Sequence, residues 1–186
     1  SQKLYYNPNP NLSVLVYGSS FFMNTYDLIQ DMTFSQARDW TAGTKVTYHV
    51  KDWFSVTGSL HADFYDRFKR HERIDKRQKD YESSIYQPRL TVTSNYFNGH
   101  SLILGMEHTS DELTSDRFSG NANHDLKTRA LKETEYFLQD EWTINPRWMI
   151  SAGIRTNFSK AFGFMGMPKV AAKYSPDKHW SLRANY

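Results

Sequence analysis

The chain has 186 residues, with 23 Lys and Arg, 20 Asp and Glu, a formal net charge of +3 and no cysteine. Its mean hydropathy of −0.71 excludes a bundle of membrane-spanning helices, since no window approaches the ~18 consecutive apolar residues that such a helix needs. The lack of cysteine excludes a disulfide scaffold and a thiolate metal site. An aromatic content of 16% argues against disorder, and the small, scattered positive charge predicts no nucleic-acid partner.

Apolar side chains recur at every second position, which predicts β-strands with one apolar and one polar face. The clearest case runs from Phe54 to Phe64, where apolar residues and a glycine at even positions alternate with polar residues at odd positions. The same period appears at residues 44–50, 148–158, 170–174 and 180–186. We therefore predict an all-β antiparallel up-and-down meander of about nine long strands, at residues 11–29, 37–50, 53–70, 81–96, 100–112, 131–144, 147–157, 168–175 and 180–186.

Short and long connections alternate between these strands. Short turns are predicted at residues 8–10, 51–52, 98–99, 145–146 and 176–178, because each carries the Gly, Pro, Asn or Asp that a tight turn requires. Longer polar connections are predicted around residues 30–39, 67–81, 110–128 and 159–168. Several of the predicted strands are much longer than the usual ~5–6 residues.

Two all-β architectures fit this pattern. A soluble sandwich or barrel turns its apolar face into a core, whereas a transmembrane barrel turns that face toward lipid and keeps a polar lumen. Strand length and the alternation of short and long connections favour the transmembrane barrel. Aromatic residues beside the short turns also favour it, as an interfacial girdle, although a soluble protein would place them in its core. These residues are Trp53, Phe54, Tyr96, Phe97, Trp142, Trp148, Tyr174 and Trp180.

The second half of the chain contains a recognisable series of strands and turns. FLQDEW at 137–142 precedes an Asn-Pro turn and a strand containing AGIR at 152–155, and PKVAAKY at 168–174 precedes a Ser-Pro turn and WSLRANY at 180–186. These segments resemble the barrel of TonB-dependent outer-membrane receptors. HSLILGMEHTSDE at 100–112 is similar to another barrel strand of that family.

The resemblance implies that residues 1–186 are a partial TonB-dependent receptor β-barrel in the bacterial outer membrane, without the family's plug domain or TonB box. The absence of an initiator Met and of a signal peptide, and the odd strand count, agree with a partial chain. The whole protein would import a scarce nutrient, such as siderophore-bound iron, haem or cobalamin, by active transport. Its implied partners are outer-membrane lipid, a small-molecule nutrient ligand and the TonB system through the missing plug region. No enzymatic activity and no cofactor are implied.

Two other interpretations remain open. One is a small self-contained outer-membrane barrel that serves as a porin or as a structural or adhesive protein. The other is a soluble, lipocalin-like binder, for which stability as a monomer without detergent would be the distinguishing property.

The histidines offer a first candidate for chemistry, although no catalytic, cofactor-binding or metal residue is predicted and the ligand-binding residues stay unknown. His71 and His124 could ligate haem iron from external loops, but scattered polar histidines without a joint spacing are the simpler interpretation. His61 and Asp63 share the polar face of one predicted strand, where a hydrogen bond in the lumen is expected.

Charged groups offer three further candidates. One long connection carries four carboxylates that could hold Ca²⁺, although the segment lacks the usual calcium-loop pattern: Asp111, Glu112, Asp116 and Asp125. The basic stretch at residues 67–79 could meet lipopolysaccharide phosphates or an anionic ligand, or could simply keep a hairpin tip hydrated. Asp140 interrupts an apolar face, so we expect it near the membrane interface or at a β-bulge.

Overall fold

The computed structural model describes residues 1–26, 33–71, 76–115, 118 and 127–186. These residues form one antiparallel sheet whose strands follow each other in chain order, so the predicted all-β meander is confirmed. The strands are β1 (Gln2–Asn9), β2 (Leu12–Tyr26), β3 (Thr33–Lys51), β4 (Phe54–His71), β5 (Lys76–Ser94), β6 (His100–Ser115), β7 (Lys127–Asn145), β8 (Trp148–Ser159), β9 (Gly163–Tyr174) and β10 (Leu182–Asn185). In this part of the chain, no helix has the length and apolar character needed to cross a membrane.

The first strand is an addition to the nine that the sequence pattern predicts. β1 pairs with β2, for example at Leu4 with Val16 and Tyr5 with Leu15. The neighbouring Tyr5 and Tyr6 interrupt the alternation of apolar and polar residues, and this is why the pattern predicts no strand before residue 11.

In three of the predicted long connections, nearly all of the described residues lie in strands, and the fourth connection is a short turn. β3 begins at Thr33, the β4–β5 hairpin is extended through His71 and from Lys76, and β6 continues to Ser115. Between β8 and β9 only residues 160–162 lie outside strands, followed by Gly163 at a φ of 78°. Polar residues can form a strand when a neighbouring strand supplies hydrogen bonds. The prediction of long connections from polar composition was therefore wrong at these positions.

The predicted short turns are confirmed, and side chains stabilise several of them. Asn145 Oδ1 accepts hydrogen bonds from the backbone N–H groups of Arg147 and Trp148 at 2.9 and 3.0 Å. Asp177 Oδ1 accepts equivalent bonds from His179 and Trp180 at 2.7 and 3.0 Å. Such side-chain acceptors explain why Asn and Asp mark these turns in the sequence.

The sheet exposes its apolar face and shelters part of its polar face. Over most of the sheet, cross-strand pairing keeps even-numbered residues on one face and odd-numbered residues on the other, as in Trp40 opposite Phe64 and Leu104 opposite Leu138. Many of the even-numbered apolar side chains are about half exposed. Among the described residues, the buried side chains lie on the polar face. One of them is an alanine and the other four are polar: Ala37, Asp80, Ser115, Asn157 and Ser159. This distribution is the reverse of that in a soluble core.

Candidate functional site

Aromatic side chains form a row beside the short turns, where the sequence places them. Trp53 lies between Phe54 and Tyr96, with ring centroids 5.8 and 4.9 Å apart. On the far strands, Trp148 stacks on Tyr174 at 4.5 Å. The rings come from residues distant in sequence, and strand pairing brings them to one edge of the apolar face.

A second aromatic row, which the sequence pattern did not reveal, crosses the same face near the other strand ends. Phe64 contacts Tyr86 edge to face at 5.4 Å, and Phe158 lies 5.0 Å from Phe164. Along β4, ten residues separate Phe54 from the second row, a strand length of ~33 Å. At the usual barrel tilt this length spans ~25 Å, the height of the lipid-facing band of outer-membrane barrels. An aromatic residue recurs ten positions beyond the first row, as in Phe54 and Phe64 or Trp148 and Phe158. This spacing could have revealed the second row from the sequence.

On the polar face, Tyr17 of β2 crosses β3 to reach β4. It does so over Gly43, where an added Cβ would lie only 2.3 Å from the tyrosine ring. Its hydroxyl shares a hydrogen bond with His61 Nδ1 at 3.0 Å. The expected lumen-type hydrogen bond of His61 is therefore present with Tyr17, while Asp63 accepts one from the Thr41 hydroxyl at 2.8 Å.

Phe137 of β7 uses the same geometry over β6. Its ring lies across Gly105, where a Cβ would approach the ring to 2.3 Å. The ring thereby reaches β5, where the Arg89 guanidinium lies 4.8 Å from the ring centroid. Both glycines let an aromatic side chain hold a polar group two strands away.

Ion pairs cross the polar face beside Phe137. Arg89 lies 3.6 Å from Glu107 on β6, and Arg155 Nε donates to Glu135 Oε2 at 2.7 Å. Both arginines are about half exposed, at 48% and 51%, whereas their glutamate partners are only 20% and 17% exposed. The carboxylates therefore lie beneath the guanidinium groups, and the surface that they present is cationic.

These arginines border a recess of about 520 Å³. Its polar-face lining includes Arg89, Phe137, Gln139, Gly153, Arg155 and Lys169. No carboxylate side chain belongs to the lining within the described residues. We call this feature the cationic recess.

The basic stretch at residues 67–79 is divided between the two faces by a β-bulge. Arg67 pairs with Tyr81 and Phe68 with Lys79, which leaves Asp80 as the extra residue. A bulge can redirect a side chain, and here it places Asp80 against Arg67 Nη2 at 2.8 Å and Lys69 Nζ at 3.1 Å.

Asp80 is nearly inaccessible, at 3% exposure. Burial alone would raise the pKa of its carboxyl, but the hydrogen bonds and charges of Arg67 and Lys69 outweigh burial and hold that pKa below its ordinary value. The Ser115 hydroxyl donates to the Asp80 carbonyl at 3.2 Å and ties the bulge to β6.

Lys79 points to the other face and is paired there. Its ammonium lies 2.6 Å from Asp66 and 2.8 Å from Glu82. Burial alone would lower the pKa of Lys79, but its hydrogen bonds to both carboxylates raise that pKa above its ordinary value. The cations at 67, 69 and 79 are thus neutralised within the sheet, and the side chains at 70–78 lie outside the described ones.

Asp140 lies in regular register opposite Leu102 and Ala152. The irregularity of this hairpin is at residues 143–145, so a bulge at Asp140 is the wrong explanation. Its Oδ2 lies 2.8 Å from His100 Nδ1, and the His100 ring stacks on Trp142 at 5.2 Å. The carboxylate is therefore paired beside the aromatic row of the short turns, the location that the interface alternative predicts.

The histidine and calcium candidates receive no support as joint sites. The side chain of His71 and the whole of His124 lie outside the described residues, as do Asp116 and Asp125. Asp111 and Glu112 are successive residues of β6 and point to opposite faces. In the described part, no group of three His, Cys, Asp or Glu residues is arranged to hold a metal ion.

Comparison with protein families gives a match over nearly the whole chain. A family model described as "TonB dependent receptor-like, beta-barrel" matches residues 2–186. Comparison with curated protein sequences gave no match.

Solved structures with the same fold include a transporter and a receptor. The unliganded ferric citrate transporter FecA aligns with a TM-score of 0.73 and 12% identity, covering 98% of this chain and 34% of that one. The siderophore receptor PirA from Acinetobacter baumannii aligns with a TM-score of 0.73 and 11% identity, covering 98% and 32%. The chain thus spans about a third of the length of each. At these identities the likeness shows the fold alone. The ten described strands form part of a barrel wall and do not close into a barrel by themselves.

Proposed function

The chain belongs to the TonB-dependent receptor β-barrel family, and we propose that it forms part of the wall of an outer-membrane receptor that takes up a scarce nutrient by active transport. Siderophore-bound iron is the first ligand class to test, because a siderophore receptor is among the structures of similar fold. Haem and cobalamin are the other two classes. The proposed partners are outer-membrane lipid, the nutrient and the TonB system.

The observation that carries this proposal is the reversed burial of the sheet. Half-exposed apolar side chains between two aromatic rows suit a lipid-facing surface. The opposite face carries ion pairs and hydrogen-bonded polar side chains such as His61 and Arg155. In water, an apolar surface of this extent would be an association site, whereas in a bilayer it is the stable arrangement.

In the proposed mechanism, this part of the barrel has a supporting role. The apolar face anchors the wall in lipid, and the polar face lines the lumen through which the nutrient passes. The extended β4–β5–β6 region beyond the second aromatic row would project toward the side of ligand capture. Energy from the TonB system would reach the receptor through a plug domain, and the chain itself performs no covalent chemistry.

Uptake by the full-length protein tests this function. We expect it to fractionate with the outer membrane and to accumulate one of ⁵⁵Fe-siderophores, ⁵⁵Fe-haem or ⁵⁷Co-cobalamin in energised cells. Accumulation should disappear in an otherwise identical host that lacks TonB. Equal uptake with and without TonB, or recovery of the protein in the soluble fraction, would contradict the proposal.

A further inference from the structure

The cationic recess differs in one respect from the charged cluster at the β-bulge of the same face. At the β-bulge, Asp80 lies buried between Arg67 and Lys69, so its carboxylate occupies the space between the two cations. In the cationic recess, the carboxylates lie beneath the arginines, and none reaches the lining described above. The positive charge there is consequently directed away from the sheet, on its polar face.

The donors of the recess are only partly used. Arg89 is 3.6 Å from Glu107, too far for a normal hydrogen bond. Arg155 contacts a single oxygen of Glu135 through Nε and one terminal nitrogen, although a guanidinium has five N–H donors. Lys169 is exposed and forms no ion pair with another described residue. Three cationic groups on three strands therefore line one recess and have N–H donors left for an anionic molecule.

The shape of the recess also suits a ligand. Gly153 contributes no side chain to the lining, and a Cβ there would meet the Leu138 carbonyl at 2.9 Å. Phe137, lying across Gly105, forms an apolar wall and holds the Arg89 guanidinium against its ring. A volume of about 520 Å³ lies within the range of ~300–1,000 Å³ that is typical of small-molecule sites.

We propose that the cationic recess binds a small molecule carrying carboxylate or phosphate groups as it passes along the barrel wall. The inference rests on the proposed uptake function and adds a charge class for the nutrient or its carrier. Arg89, Arg155 and Lys169 bind the anionic oxygens, and Phe137 packs against the apolar part of the molecule. A neutral solute of the same size gains none of these charge-assisted hydrogen bonds.

Calorimetric titration of the purified full-length protein in detergent tests the proposal, with inorganic phosphate and tricarballylate as anionic probes and sorbitol as the neutral one. We expect saturable binding of at least one anion and none of sorbitol. Lys169→Gln should weaken that binding by about five- to tenfold. The double variant Arg89→Gln/Glu107→Gln should weaken it similarly, without leaving Glu107 as an uncompensated charge.

Lys45→Gln is the matched control, because Lys45 is an exposed lysine on the polar face of β3, outside the recess. It should leave anion binding unchanged. The proposal is overturned if neither anion binds the unmodified protein, or if Lys45→Gln weakens binding as much as Lys169→Gln. It is also overturned if an acidic segment of the protein fills the recess, in which case small anions do not bind and Lys169→Gln lowers the unfolding temperature instead. Because the titration needs no energised membrane, its outcome is separate from that of the uptake experiment.

Discussion

At the scale of single residues, two glycines decide where aromatic side chains can lie. Gly43 and Gly105 give Tyr17 and Phe137 room to cross a neighbouring strand and reach His61 and Arg89. The requirement is steric, because neither glycine has a positive φ. The sequence shows both glycines but not the rings above them.

Gly43→Ala and Gly105→Ala should therefore destabilise the barrel, each by ~1–3 kcal/mol, since a Cβ would overlap the aromatic ring and displace it. Gly58→Ala is the control, because nothing lies within 4 Å of a Cβ at that position. We expect that variant to be neutral or slightly stabilising. Urea unfolding of the full-length protein in lipid vesicles measures the difference, and equal effects at all three positions would contradict the packing described.

Asp80 gives the protein an acid-sensitive contact. Its folded-state pKa lies below its ordinary value, so its stabilising contribution is present above the unfolded-state pKa of ~3.9 and is lost as pH falls through the folded-state pKa. Asp80→Asn should reduce stability at neutral pH by ~1–3 kcal/mol, because Arg67 and Lys69 lose their buried counter-charge. It should also remove part of the stability loss below about pH 4.

Urea unfolding between pH 3 and 7 tests this prediction. Glu82→Gln provides the comparison, since Glu82 is half exposed and its pairing with Lys79 should contribute no more than ~1 kcal/mol. If Asp80→Asn and Glu82→Gln have the same effect at neutral pH, the buried ion pairs of the bulge are not stabilising.

At the scale of elements, strand alternation was predictable and strand length was not. The run from Phe54 to Phe64 can be recognised as a strand from the sequence alone. A period of two depends only on which side chains of one strand share a face. Residues 66–71 of β4 and 76–82 of β5 are mainly charged. They are nevertheless extended, because the backbone of each strand supplies hydrogen-bond partners for the other. One extra residue, Asp80, then determines that Arg67 and Lys79 face opposite sides, an outcome that composition cannot reveal.

The orientation of β4 in the bilayer yields a prediction that separates membrane and soluble interpretations. Leu60→Arg should cost ~2–4 kcal/mol, because it places a charge in the middle of the lipid-facing band. Thr57→Arg, on the polar face of the same strand, should change stability by no more than ~1 kcal/mol. Reversible unfolding in lipid vesicles compares the two. In a soluble protein, a half-exposed leucine such as Leu60 would tolerate arginine, so a neutral Leu60→Arg would contradict the membrane assignment.

At the scale of the whole molecule, the described sheet has two open edges. β1 pairs with β2 and β10 with β9, and neither outer strand pairs with a further described strand. An open edge adjoining a large apolar face favours association through backbone hydrogen bonds and apolar contact.

We therefore expect residues 1–186, prepared alone in detergent-free buffer, to form oligomers or aggregates. Light scattering coupled to size-exclusion chromatography measures the mass, and the same chain in detergent micelles serves as the reference. A homogeneous monomer in detergent-free buffer would count against the membrane-barrel interpretation and in favour of a soluble binder.

The sequence alone determined the β-class, the two faces, the short turns, the first aromatic row and the resemblance to the receptor family, because each depends on residues that are close along the chain. The tertiary structure decided which polar groups meet: Phe137 with Arg89, Asp80 with Arg67, and the cations of β5, β8 and β9 around one recess. Such meetings depend on cross-strand register, and a single bulge or glycine changes them without altering the periodicity of any strand.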